Sequence, residues 1–152
     1  MAYNLERFLK AQDLDYETAL EEIRSGQKQS HWMWYIFPQI LGLGRSEIAV
    51  YYSIADRNEV IAYMENNILR EHLLEISGAL LELKTTDALS VMGFPDNLKL
   101  KSCMTLFAEM APEYPIFQQV LDKYFCGEKD QKTLDLLKKK EDAAHEIYSR
   151  ED

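Results

Sequence analysis

Cysteine is nearly absent from this chain. The 152 residues hold two, Cys103 and Cys126. That is too few for a disulfide scaffold, and they read as reduced thiols of a cytoplasmic protein. A basic excess is missing too: Lys and Arg total 17 against 26 Asp and Glu, a formal net charge of −9. Binding phosphates along a strand needs a basic face, so a general DNA or RNA binder is excluded. Long hydrophobic runs are lacking. The longest stretch free of charge runs from Gln29 to Gly44, and Gln29, Ser30, His31, Pro38 and Gln39 interrupt it. It falls short of the ~18 apolar residues of a spanning helix, so no membrane partner is expected. The opening Tyr3-Asn4-Leu5-Glu6-Arg7 carries charge where a signal peptide needs an apolar core, so no leader is expected. Repeats and low-complexity tracts do not occur.

What remains is a globular composition, 47% hydrophobic and 28% charged. It is compatible with one domain and one core, not with disorder. Apolar residues recur at helical spacing almost throughout. Leu5, Phe8 and Leu9 follow Asn4 as a candidate N-cap, and Tyr16, Ala19, Leu20 and Ile23 continue the pattern to Gly26. Asp56 and Glu59 resemble a capping box. Leu69, Leu73, Ile76, Leu80 and Leu83 form a long seam. Shorter helices are predicted at 87–92, 97–110 and 117–125, and a last one after Asp130 carries Leu134, Leu137 and Ile147. Alternation typical of strands hardly occurs. The expectation is an all-α, compact single-domain bundle of about seven to eight mostly short helices. It spans residues 1–137, and a charge-dense helix end or tail fills 138–152.

Two segments stand apart from this acidic background. From Arg24 to Ser46 there are 23 residues and no acid, where about four would be expected from 26 in 152. The segment holds both tryptophans, Trp32 and Trp34, three of six glycines, and Arg24, Lys28, His31 and Arg45. Cations, large rings and flexible backbone together suit an anion pocket, in which rings stack and Arg or Lys holds the charge. The alternative is structural. Residues 30–37 would form one very apolar core helix, Gly42-Leu43-Gly44 a turn, and Ser46 the next N-cap. The second acid-free patch, Asn97 to Ala108, contains Lys99, Lys101, Ser102 and Thr105. On a helical wheel Lys101, Ser102 and Thr105 oppose an apolar arc of Leu100, Cys103, Met104, Leu106, Phe107 and Met110. Lys99 falls inside that arc, so it must snorkel, face a cleft, or pair with a carboxylate, Asp96 being nearest.

Ser30-His31-Trp32-Met33-Trp34-Tyr35-Ile36-Phe37-Pro38-Gln39 with Gly42-Leu43-Gly44-Arg45-Ser46, and Phe94-Pro95-Asp96-Asn97-Leu98-Lys99-Leu100-Lys101-Ser102-Cys103-Met104-Thr105-Leu106-Phe107, resemble the two signatures of the bacterial family known as domain of unknown function 1810. Weaker matches are Leu5-Glu6-Arg7-Phe8 with Ala11-Gln12, and Gly127, Asp130 and Thr133-Leu134. The resemblance implies a compact all-helical domain and brings no activity. It breaks where Cys103 replaces a usual serine and His72 a usual arginine. An anion contact from position 72 would be weaker or pH-dependent here.

Several chemistries are excluded by absence. There is no Gly-x-Ser-x-Gly elbow, no phosphate-loop Gly-Lys-Ser/Thr and no His-Glu-x-x-His. Gly42-x-Gly44 lacks a third glycine and a preceding strand. Asp142-x-x-His145 only faintly echoes a diiron pair. No metal and no cofactor are expected, and no nucleophile–base pair is visible. The leading expectation is therefore a site for an anionic, ring-containing small molecule, nucleotide-like or ADP-ribose-like. Trp32 or Trp34 would stack and Arg45, Lys99 and Lys101 would neutralise charge. Gln39 and Ser102 would add polar contacts, and His31 or Asp96 would act as acid or base if there is turnover. The competing expectation is a protein-interaction module that docks a partner on the aromatic 31–37 segment.

Overall fold

A computed structural model describes the backbone of residues 3–151 and the side chains of residues 3–145. Among the described residues there are nine α-helices: α1 Glu6–Arg24, α2 Met33–Ile36, α3 Glu47–Tyr51, α4 Arg57–Glu65, α5 Asn67–Glu82, α6 Ala88–Met92, α7 Asp96–Met110, α8 Ile116–Phe125 and α9 Gln131–Glu151. The count exceeds the expected seven to eight because α2 and α3 have only four and five residues. Little more than one turn leaves no periodicity to read. The described residues contain no strand. One parallel bridge joins Ile40 and Ile54, with the Leu41 amide donating to the Ile54 carbonyl and the Ile54 amide to the Gln39 carbonyl, both at 2.8 Å.

Local signals set most helix ends. Asp56 accepts from the Glu59 amide, Asp87 from the Leu89 amide, and Ser46 from the Ala49 amide. Asp130 accepts the Thr133 amide at 3.1 Å and so opens α9. Asn4 is not a cap: Leu5 occupies that position without a side-chain bond. The Asn4 carbonyl instead accepts from the Arg7 guanidinium. At the end of α5 the Lys123 ammonium receives support from the Leu80, Leu81 and Leu83 carbonyls. A cation there complements both the orphan carbonyls and the helix dipole.

The core is a chain of rings crossing the bundle. Phe8 of α1 meets Tyr63 of α4 edge-on at 5.2 Å, Tyr63 meets Phe107 of α7 at 5.4 Å, and Phe107 meets Phe117 of α8 at 5.4 Å. All four are fully buried. α7 packs against α8, α6, α9 and α4, and α5 against α1, α8 and α4. Ser102 and Thr105 were expected on a polar face, yet both are buried because α9 begins against them. Their hydroxyls stay satisfied. Thr105 donates to the Lys101 carbonyl and accepts from the Asp130 amide, while Ser102 donates toward Leu98 and Asp130.

α9 continues as one helix through residue 138, and Leu137 is its last buried side chain among those described. Ile147 lies outside the described side chains. No described helix is long and apolar enough to cross a membrane.

Candidate functional site

The acid-free segment is held by a carboxylate outside it. Glu22, near the end of α1, accepts from the amides of Gln29 at 2.8 Å and Ser30 at 2.9 Å, from the Ser30 hydroxyl at 2.6 Å and from the Trp32 indole at 3.0 Å. Partial burial opposes its charge, but these four donors outweigh that and lower its carboxyl to about 2. The alternative of one apolar helix over 30–37 gives way to a loop that clasps Glu22, followed by the short α2. Trp32 is 1% exposed and Phe37 fully buried; Met33, Tyr35 and Ile36 are buried with them. This burial takes the 31–37 segment away from a docking role and leaves Trp34 as its one half-buried ring.

The two acid-free segments meet. The Lys28 amide donates to the Val91 carbonyl at 2.7 Å, which ties the loop to α6. The Lys28 ammonium lies 2.9 Å from one oxygen of Asp96 and 4.8 Å from the Trp32 ring centroid. The Lys99 ammonium lies 3.4 Å from the other oxygen of Asp96 and 5.5 Å from the Trp34 ring centroid. Both distances to rings fall within the range of cation–π attraction. Lys28 is sealed, with 7% of its side chain exposed, whereas Lys99 retains 30%. Asp96 thus bridges two ammonium groups, each backed by a tryptophan.

The other candidate residues lie apart from this junction. Lys101 pairs with Glu128 at 2.9 Å. Ser102 is buried toward Asp130. Gln39 is half-buried beside the Ile40–Ile54 bridge, with its carbonyl used there. His31 is exposed, and its carbonyl receives the Tyr35 hydroxyl at 3.4 Å. Arg45 is exposed in a cleft of about 320 Å³ that it shares with Gly42, Leu43, Lys132, Asp135 and Leu136. The glycines before it have packing roles. Gly42 has φ +115°, and a Cβ there would meet Leu136 at 3.0 Å; a Cβ on Gly44 would meet that of Ala49 at 2.6 Å. Arg45 has no ion pair among the described residues.

Sequence reasoning missed two buried polar centres. Arg7 is 9% exposed and ion-paired with Glu59 at 2.9 Å. Its other donors reach the carbonyls of Tyr51, Ser53 and Asn4, and Glu59 also accepts the Ala55 amide. This pins the start of α1 to the chain entering α4. The charged residue inside Leu5-Glu6-Arg7-Phe8 was the available signal. The second centre is Gln12, 2% exposed, which bonds the Tyr35 carbonyl, the Tyr63 hydroxyl and the His72 ring. No pattern in α1 alone distinguishes this glutamine from a surface one.

Chemical reactivity is muted elsewhere. Cys103 is fully buried, and burial pushes its thiol well above the ordinary value, so it is inert. Cys126 is exposed at the left-handed end of α8. Among the described residues no three His, Cys, Asp or Glu side chains gather as metal ligands.

Residues 2–137 match the family model described as "Protein of unknown function (DUF1810)". The fold is similar to the crystal structure of the conserved hypothetical protein Rv1873 from Mycobacterium tuberculosis. That chain is 40% identical, with a TM-score of 0.87, over 89% of this chain and 96% of the other. No curated protein matches this sequence.

Proposed function

As the chain belongs to the DUF1810 family of proteins of unknown function, we propose a function from the geometry of its own residues: the junction of the 28–34 loop with α7 binds an anionic, ring-containing small molecule of the nucleotide or ADP-ribose type. The observation that carries this is the meeting of Lys99 with Trp34 over a bridging Asp96. Lys28 lies closer to Asp96 and is almost sealed, so Lys99 is the cation free to exchange its carboxylate for a ligand anion. The partly exposed Trp34 offers the adjoining ring contact. Trp32, Arg45, Lys101, Gln39 and Ser102 fall outside this narrower site. Asp96 is engaged by two ammonium groups and the neighbouring Ser30 hydroxyl is held by Glu22, so the proposal stops at binding.

A second reading has its own support. Phe94, just before α7, and Leu98, in its first turn, are 75% and 51% exposed. They would give a protein partner an apolar foothold beside Lys99. Thermal unfolding against phosphate, citrate, adenine and guanine nucleotides and ADP-ribose separates the two. A ligand at a hundred times its dissociation constant adds about 2.7 kcal/mol, a rise of a few degrees for a chain of this size. The binding reading expects that rise in the wild type and its loss in Lys99→Ala. No rise with any compound, or a rise kept in Lys99→Ala, overturns it and favours the partner.

A further inference from the structure

Charged groups of alternating sign follow one another from the clasp to the surface. Glu22 accepts from the Ser30 amide and hydroxyl. The Ser30 carbonyl accepts from the Lys28 ammonium at 2.5 Å, and that ammonium lies 2.9 Å from Asp96 Oδ2. Lys99 comes last, 3.4 Å from Asp96 Oδ1 and 5.5 Å from the Trp34 ring centroid. Side-chain exposure rises in the same order, 7% for Lys28, 18% for Asp96 and 30% for Lys99. Lys28 has both a carbonyl and a carboxylate oxygen at short range. The longer contact to Asp96 is the one ion pair of Lys99 among the described residues. The series therefore ends, on its water side, in a cation whose counter-ion is shared and lies closer to another ammonium.

Lys28, Asp96 and Lys99 together carry one net positive charge. Asp96 stays in place when Lys99 turns to a ligand, because the sealed Lys28 still requires a counter-ion. An incoming anion thus meets a site of charge +1 with a fixed carboxylate directly behind the cation. Attraction to such a site grows in proportion to the ligand's charge, whereas the cost of drying the ligand grows with its square. A second negative charge also adds repulsion from Asp96. A phosphate esterified on both sides carries one negative charge, and a terminal phosphate carries nearly two at neutral pH. We propose that the junction takes nucleotides through a phosphate esterified on both sides and discriminates against a terminal phosphate, with Asp96 setting the preference. The preference rests on the binding proposed above and narrows its ligand class.

Calorimetric titration near neutral pH with two matched pairs tests it: cyclic AMP against AMP, and ADP-ribose against ADP. Each pair shares its adenine ring and differs in the charge of the last phosphate. The doubly esterified member should bind about tenfold more tightly in both pairs, a difference near 1.4 kcal/mol. Asp96→Asn adds one positive charge to the site, so the ratio should fall to parity or invert. Lys99→Ala should lose all four ligands. The wild-type ratios decide even where Asp96→Asn fails to fold. A terminal phosphate bound as tightly as its partner in the wild type, with both lost in Lys99→Ala, overturns the preference and leaves the binding reading standing. A ratio unchanged in Asp96→Asn overturns it in the same way. No binding of any of the four, or binding kept in Lys99→Ala, overturns both.

Discussion

Trp32 and Trp34 stand two residues apart and occupy different chemistry. Trp32 is 1% exposed, bonded through its indole to Glu22 and faced by the sealed Lys28. Trp34 is half-buried and faced by Lys99, which still reaches water. The inner ring belongs to the fold, because it is sealed and both its indole and the Lys28 facing it already have partners. The outer ring sits beside Lys99, the more exposed of the two cations at the junction. A motif rich in tryptophan and lysine therefore divides into a sealed packing half and a half-open one, to which the proposed binding is assigned. Burial decides which residue falls in which.

Truncation should widen this contrast most at the inner ring. Trp32→Ala is expected to cost about 3–5 kcal/mol, since it opens a cavity and removes one of the four donors to Glu22; Trp34→Ala should cost about 1–2 kcal/mol. Urea unfolding of both variants checks the pair, and equal losses would erase the distinction. The clasp itself comes next. Glu22→Gln should lose about 1.5–3 kcal/mol, the worth of hydrogen bonds to a charged acceptor.

The same clasp gives a pH signature. The Glu22 carboxyl is lowered from 4.5 to about 2 on folding, so its contribution is complete above about pH 4.5. It fades as the pH falls toward 2. The stability gap between wild type and Glu22→Gln should close over that window in acid titrations. The smallest effect is expected at Arg45, which is exposed and has no ion pair among the described residues. Arg45→Ala should change stability by no more than about 0.5 kcal/mol. A larger loss in urea would mean that the 42–46 turn depends on the guanidinium as well as on its glycines.

Much of the fold was legible because helices leave local marks. The seam of α5 and the caps at Asp56 and Asp130 depend on residues within one or two turns. The site was half legible. Lys99 stood out as a cation on an apolar arc, and Asp96 as its local partner, both from spacing alone. Glu22 and Lys28 were not identified as the groups that hold the loop. Their partners lie in the turn after α1 and at the start of α7, and a hydrogen bond across such a gap leaves no period in the chain. Lys101 and Ser102 were drawn into the candidate site by adjacency in sequence. On a helix, adjacent residues point about 100° apart, and α9 claims that side of α7.

The sequence by itself determined an all-helical chain with an acid-free, tryptophan-bearing segment and a lysine misplaced on an apolar face. These are properties of composition and of the 3.6-residue turn, and they need no knowledge of neighbours. Only the tertiary structure decided that Glu22 clasps the segment and that Asp96 bridges Lys28 and Lys99. The same holds for Gln12, which joins Tyr35, Tyr63 and the His72 ring. Each depends on which donor meets which acceptor across separate helices. That is set by how the helices pack, because a buried polar group must find its partner wherever the core places it.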